Sequence, residues 1–352
     1  MIQKSRWWTA LSAIALTTST IVSAVHTYPV IANPQPSTKQ VNSPILTLSG
    51  HTAPIRAIAL SADGQTLASG DDDKTIKVWN LKTGELRHTL VGHTERISSV
   101  AISPDGKTLI SASHDKTIKV WDLATGKLLG NITGHKAAIT AIIISPDGKT
   151  IASASMDQTV RLWNANNRRL RRSLKADAFS LAISPDGKTL YSGSNNGSIK
   201  LWNLSTGKLL RTLTPPLPKS PVFPFQRASR VLSLAISPNG QTLVNGSYDD
   251  THQSIQQTDG TNIKIWDLKT RKVIHSFSVG IGSVDAVVIS PDGKTFASGG
   301  LNRKISILDL QTGKLIRTLE GHAGGVYALA FSRDGKTLIS GSGDKSVKVW
   351  QL

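Results

Sequence analysis

The chain of 352 residues contains no cysteine. Disulfides, thiolate zinc sites, iron–sulfur clusters and cysteine nucleophiles are therefore excluded together. Acidic residues are scarce, with 23 Asp and Glu against 41 Lys and Arg, for a net charge of +18. Aromatic residues make up only 5%. Beyond the first 32 residues there is no apolar run long enough to suggest a membrane span. No His-x-x-x-His spacing occurs among the nine histidines, and every Gly-rich stretch reads as a hairpin turn instead of a phosphate loop. Neither a cofactor nor a metal site is expected. Apolar residues reach 39%, enough for a globular core, so the chain is not a disordered polyelectrolyte.

The first segment reads as an address. Lys4 and Arg6 precede an apolar stretch from Trp7 to Val25, and small residues follow at Val22-Ser23-Ala24 and Val30-Ile31-Ala32. That is the order of a secretory signal, expected over residues 1–32 with either small-residue site as the cut. The alternative is an uncleaved anchor formed by residues 7–32, but Ala10 to Val25 falls short of the ~20 apolar residues that cross a bilayer. The expected location is periplasmic or extracellular. Residues 33–43 read as a short polar linker containing proline.

From residue 44 onward the chain repeats. Ser-Pro-Asp-Gly or a variant begins at Ser61, Ser103, Ser145, Ser184, Ser237, Ser290 and Ser332. Eighteen residues after the turn serine stands a Trp, or Leu in one case, except in the fifth repeat. These positions are Trp79, Trp121, Trp163, Trp202, Trp266, Leu308 and Trp350, spaced by 42, 42, 39, 64, 42 and 42. Within a repeat the apolar pattern has period two. In the first, Ile55–Leu60, Thr66–Ser69, Thr75–Trp79 and Glu85–Leu90 read as four short strands, a to d. Ala62-Asp63-Gly64 and Thr83-Gly84 supply the a-b and c-d hairpins. A lone sheet of this kind has two apolar faces and cannot bury both. Stacking such sheets around an axis can.

Gly50-His51, Asp73 and Trp79-Asn80, repeated as Gly92-His93, Asp115 and Trp121-Asp122, resemble the WD-repeat (beta-transducin repeat) family over residues 44–352. The resemblance, taken with the first segment, is to an exported bacterial type. It implies an all-β, seven-bladed β-propeller of four-stranded antiparallel blades. The last repeat stops at Leu352 after its c strand, and the missing d strand stands at the other end as Ile45-Leu46-Thr47-Leu48. The N-terminal strand is thus expected to close the ring by pairing with the last blade, removing an open edge.

The resemblance also implies hydrogen-bonded structural sets at His51/Ser69/Asp73/Trp79, His93/Ser111/Asp115/Trp121, His135/Ser153/Asp157/Trp163 and His322/Ser340/Asp344/Trp350. Their types mimic a hydrolase triad, but a set present in four equivalent blades speaks for architecture and against a single catalytic site. Asp71-Asp72-Asp73 is expected to be a solvated turn, since it lacks the ligand spacing of a calcium loop. Repeats four to six depart from the pattern. Lys175-Ala176 stands near the Gly-His position and Asn196 replaces Asp in the fourth, while Gly280, Asn302 and Leu308 replace His, Asp and Trp in the sixth. The fifth carries two insertions, each 11 residues longer than the regular connection. Strand parity puts both on the face bearing the d-a and b-c connections.

Candidate partner-binding residues lie on that face. Phe223, Phe225 and Arg227 belong to the first, proline-rich insertion. Arg56, Phe179, Asp285 and Tyr327 stand five residues before a turn serine, and Arg96 and Arg230 seven before, where the family's propellers line the channel mouth and often contact partners. The leading expectation is a non-catalytic protein- or peptide-binding scaffold, monomeric and exported. One alternative is a propeller enzyme, hydrolase or lyase, at the channel mouth, for which Asp177, Asp285 and Tyr327 are the only material. Another is a basic envelope protein that binds polyanions. Lys77, Lys119, Lys200, Lys264 and Lys348, with Arg161 and Ser306, occupy equivalent strand-c positions and distribute charge around the ring. An export signal disfavours nucleic acid, leaving acidic envelope polymers or an anionic lipid surface as the polyanions available.

Overall fold

A computed structural model describes residues 43–215, 230–248, 262–280 and 282–352. The first segment, most of the linker and both insertions of the fifth repeat, with Phe223, Phe225 and Arg227, lie outside the described residues. Seven four-stranded antiparallel sheets form the blades of a propeller, each ordered a-b-c-d. In blade one the strands are Ile55–Leu60, Thr66–Asp71, Ile76–Asn80 and Leu86–Leu90. Strand b runs two residues further than its sequence suggests, which carries Asp71 into the sheet.

Burial explains the composition of each strand. Strand b lies inside the sheet with neighbouring blades over both faces, so Leu67, Ala68, Ser69, Gly70 and Asp71 are all buried. Its residues are small because the next blade presses close. A Cβ on Gly70 would lie 2.5 Å from Ile97 Cγ2 of blade two. Strand d is the outer edge, and in blade one only Leu90 at its end is fully buried. At the a-b hairpin Ser61 Oγ accepts from Thr66 N and donates to Asp63, while Gly64 takes φ 72°, where a Cβ would be strained.

The core lies between blades. Leu48, Ile339, Val347 and Val349 of blade seven pack with Ile55, Leu67 and Trp79 of blade one, and equivalent clusters fill the other junctions. The ring closes at the N-terminus as the sequence implies. Strand d of blade seven is Leu46–Leu48, paired antiparallel with strand c (Val347–Gln351) in the register Leu46↔Val349, Thr47↔Lys348 and Leu48↔Val347.

Candidate functional site

The imidazoles of the d-a connections are held by the blades they cap. In blade two, His93 Nδ1 donates to Asp115 Oδ2 (2.7 Å) and Nε2 accepts from Ser111 Oγ (2.8 Å). Ser111 Oγ in turn accepts from Trp121 Nε1 (2.9 Å). The tautomer is assigned from this network: Asp115 accepts only, and the serine proton has His93 Nε2 as its partner. The same chain of bonds joins His135, Asp157, Ser153 and Trp163, and His322, Asp344, Ser340 and Trp350. Burial pushes Asp157 upward, but hydrogen bonds from Thr159, Lys136 N and His135 outweigh it and hold the carboxyl down at about 2. Asp344 also stands at about 2, against the same burial. His135 and His322 are lowered, chiefly by burial and partly offset by their aspartates.

The resemblance of these sets to a nucleophilic triad ends at the serine. Ser69, Ser111, Ser153 and Ser340 are each 0% exposed, with the hydroxyl oxygen occupied by an indole N–H. No substrate carbonyl can reach them.

Blade one requires a correction. His51 Nδ1 donates to Asp71 Oδ2 (2.6 Å), not to Asp73 as its register suggests. Ser69 and Trp79 keep their places, at 2.6 Å from His51 Nε2 and 2.8 Å from Ser69 Oγ. The reason lies ten residues after the turn serine, where blades two, three, four, five and seven carry Ser113, Ser155, Ser194, Ser247 and Ser342. Ser113 Oγ accepts from Asp115 N at 3.0 Å and donates to Glu95 O. Asp71 Oδ1 accepts the equivalent bond from Asp73 N (3.2 Å), and its second oxygen reaches the imidazole. Asp73 is displaced toward Thr52 and Thr75, whose N and Oγ1 donate to it at 3.0 and 2.7 Å.

The three aspartates therefore do not form the expected solvated turn. Asp71 is fully buried, Asp72 clamps Arg56 and Asp73 caps the turn. Burial pushes the Asp71 carboxyl up. Burial also acts on Asp73, but bonds from Asp71, Thr52 and Thr75 hold it well below the usual range. His51, Asp71 and Asp73 bring potential ligand atoms within 4.8 Å of one another. Both imidazole nitrogens are already bonded, so a cation could enter only by breaking the set.

The irregular blades keep parts of the network with substitutes. Trp202 Nε1 donates to Ser192 Oγ (2.9 Å) in blade four, with buried Leu174 and Ala176 before strand a in place of an imidazole. In blade five Trp266 Nε1 donates to Asn245 Oδ1 (2.8 Å), whose amide donates to Ser247 Oγ. Asn262 Nδ2 donates to Gly280 O and Gly282 O, and its carbonyl oxygen accepts from Val279 N. Sequence reasoning missed Asn245 and Asn262. Asn245 stands eight residues after a turn serine, where the other blades have Ser, and that substitution was the available signal. In blade six His and Trp are both replaced, and buried Ser298 Oγ has no hydrogen-bond partner among the described residues.

Two pairs of the candidate partner-binding residues are guanidinium groups laid on aromatic rings. Arg56 of blade one lies 4.5 Å over the ring of Tyr327 of blade seven, and its Nε and Nη2 grip the Asp72 carboxylate at 2.7–3.0 Å. Arg230 of blade five lies 4.6 Å over Phe179 of blade four and donates through Nε to Asn195 Oδ1 (2.8 Å). Such stacking adds about 0.5–2 kcal/mol and fixes the orientation of the cation. Arg96 donates to His114 Nε2 (3.2 Å), and burial followed by Arg96 lowers the imidazole pKa. Asp285 accepts from Ser283 Oγ (2.7 Å), and burial pushes its carboxyl up. Ser98 and Thr140 spend their hydroxyls on backbone carbonyls. The structure thus brings together Arg56 with Tyr327 and Phe179 with Arg230, and leaves Arg96 in a separate pair.

Comparison with known proteins decides the family. The WD domain, G-beta repeat profile matches residues 42–80, 84–122, 126–164, 169–203, 219–252, 271–309 and 313–351. The chain belongs to the WD-repeat family. Every profile match except the fifth begins before a strand d and ends on the following strand c, so the first includes the strand that closes blade seven. Among curated WD-repeat relatives, vegetative incompatibility protein HET-E-1 of Podospora anserina is 55% identical over 38 residues, covering 11% of this chain and 3% of that protein. Apoptotic protease-activating factor 1 of Rattus norvegicus is 43% identical over 49 residues, covering 14% and 4%. Pre-mRNA-splicing factor prp46 of Emericella nidulans is 48% identical over 42 residues, covering 12% and 9%. Each alignment spans about one repeat of this WD-repeat chain and less than a tenth of the relative.

Proposed function

We propose that this propeller is a non-catalytic scaffold that binds another protein or peptide on the face carrying the d-a and b-c connections, around blades four to six. The observation that carries the reading is the Arg230 guanidinium held over Phe179 and tied to Asn195. Arg and aromatic side chains are the anchors from which interfaces draw most of their energy. Holding them in place beforehand reduces the ordering cost of binding. Membership of a family whose propellers bind proteins supports the reading. The buried serines argue against hydrolysis by the His-Ser-Asp sets. We further propose that the protein is monomeric and of an exported bacterial type, directed out of the cytoplasm by residues 1–32, on the signal-like order of that segment.

The test is affinity capture by the full chain from an extract of the source cell. Phe179→Ser with Arg230→Glu is expected to lose the captured partner. Asp105→Lys with Asp147→Lys, on the a-b turn face, is expected to keep it. The opposite pattern overturns the docking face.

A further inference from the structure

The cations are not evenly spread around the ring, as the strand-c lysines alone suggest. Strand d of blade three (Leu170–Lys175) and the turn before it read Arg168-Arg169-Leu170-Arg171-Arg172-Ser173-Leu174-Lys175. The other outer strands are poorer in charge. Within the strand alone Leu170–Lys175 holds three Lys or Arg, whereas Leu128–Ile132 has none and Leu86–Leu90, Leu209–Leu213, Lys272–Phe277 and Leu315–Leu319 each have one. No ion pair joins any of the five cations of residues 168–175 to an acid among the described residues. The blade's arginine pair is Arg161 with Asp157, on strand c.

Backbone carbonyls and one hydroxyl orient three of these cations. Arg168 Nη1 donates to Leu129 O of blade two (2.8 Å), and its guanidinium lies in a slot left by Gly130. A Cβ on Gly130 would lie 2.2 Å from that nitrogen. Arg172 donates through Nε to Thr206 O of blade four (3.4 Å) and through Nη1 to Arg171 O (2.8 Å), while Arg171 Nη1 donates to Thr150 Oγ1. Such bonds fix a guanidinium without cancelling its charge. Arg169 and Lys175 are exposed, and exposed Lys208 and Arg211 continue the patch onto blade four.

The same edge is apolar between its charges. Leu128, Leu129, Leu170, Leu209 and Leu210 are each 43–47% exposed. Interleaved guanidinium groups and leucines suit the boundary of a bilayer, where cations meet anionic headgroups and aliphatic chains enter the interface. Single-stranded nucleic acid is met by aromatic stacking platforms, and none of these exposed apolar residues is aromatic. We propose that the outer edge of blades two to four, centred on Leu170–Lys175, docks on an anionic lipid bilayer. The surface is separate from the Arg230–Phe179 pair and does not depend on the reading of it.

The full chain is sedimented with vesicles of phosphatidylcholine alone and with vesicles that also contain phosphatidylserine. The readout is the difference between the two, which removes any charge-independent insertion by other parts of the chain. Each basic residue near such a surface strengthens binding about fivefold, so Arg169→Gln, Arg171→Gln and Lys175→Gln together are expected to weaken the anionic component about a hundredfold. Lys314→Gln with Lys336→Gln and Lys345→Gln removes the same charge elsewhere and is expected to leave most of it. Should the triple edge variant unfold, Arg169→Gln alone, whose side chain makes no hydrogen bond among the described residues, carries the comparison with an expected loss of about fivefold. Equal binding to both vesicles overturns the proposal, as does an equal loss in the control variant. Edge-dependent binding of a single-stranded oligonucleotide without vesicle binding also overturns it, in favour of nucleic acid.

Discussion

Each buried imidazole of the ring is a small closed circuit, and breaking it leaves a polar group without a partner. His93→Ala strands Ser111 and removes a donor from Asp115, so it is expected to cost about 1–3 kcal/mol in chemical denaturation. Asp71→Ser places at that position the residue that five other blades carry. Asp73 can then return toward His51, and the change is expected to stay within about 1 kcal/mol of wild type. A loss as large as that of His93→Ala would show that Asp73 cannot substitute. The sign with pH sets Asp71 apart from Asp157 and Asp344. Because burial raises the Asp71 pKa, its ionisation opposes folding as pH rises through the folded value, and serine removes that opposition. Here the sequence register misleads for a local reason. Asp71 and Asp73 are both within reach of one ring, and a carboxylate at the end of strand b, where five other blades carry Ser, decides which one the imidazole meets.

Strands and turns were far more legible than these pairings. Seven turn serines and the Trp ladder fix strand positions because each marks a backbone requirement: a hairpin, or an indole N–H that needs an acceptor. The missing last strand could be found by counting alone. What remained hidden was chemistry without a repeat to mark it: Asn245 and Asn262 in blade five, and the cations of blade three, which stand out only once strand d is known to be an outer edge. Leu48 is 3% exposed, packed with Ile55 and Trp79 across the closing junction. Leu48→Ala is expected to destabilise the fold by about 2–5 kcal/mol. A chain beginning at Gly50 is expected to lose cooperative thermal unfolding or to aggregate, since blade seven would keep three strands and expose an unpaired edge.

In blades three and seven the titrating groups of the repeated sets act in one direction, opposite to Asp71. Asp157 and Asp344 have folded pKa values of about 2 against an ordinary 3.8, so the stability they contribute is present above 3.8 and is lost as pH falls through about 2. His135 and His322 are lowered from 6.5, so their contribution is complete above 6.5 and declines below it. Thermal unfolding is therefore expected to shift little above neutrality and to fall in two stages toward acid. Scans at about pH 7, 5 and 3 check this, and a melting temperature that rises between the first and last would contradict it.

The closing strand also sets an order of events in time. Thr47 meets Lys348 across 301 residues of chain, so the first strand of the ring to be synthesised is the last to find its place. Until Val347–Gln351 has been made, Leu46–Leu48 has no strand to pair with and blade one has no neighbour on that side. Bringing the two ends together bears the full entropy of loop closure, which slows folds dominated by distant contacts. A nascent chain can stack blades one by one as they emerge, yet the finished ring belongs only to a polypeptide whose translation has reached its final strand.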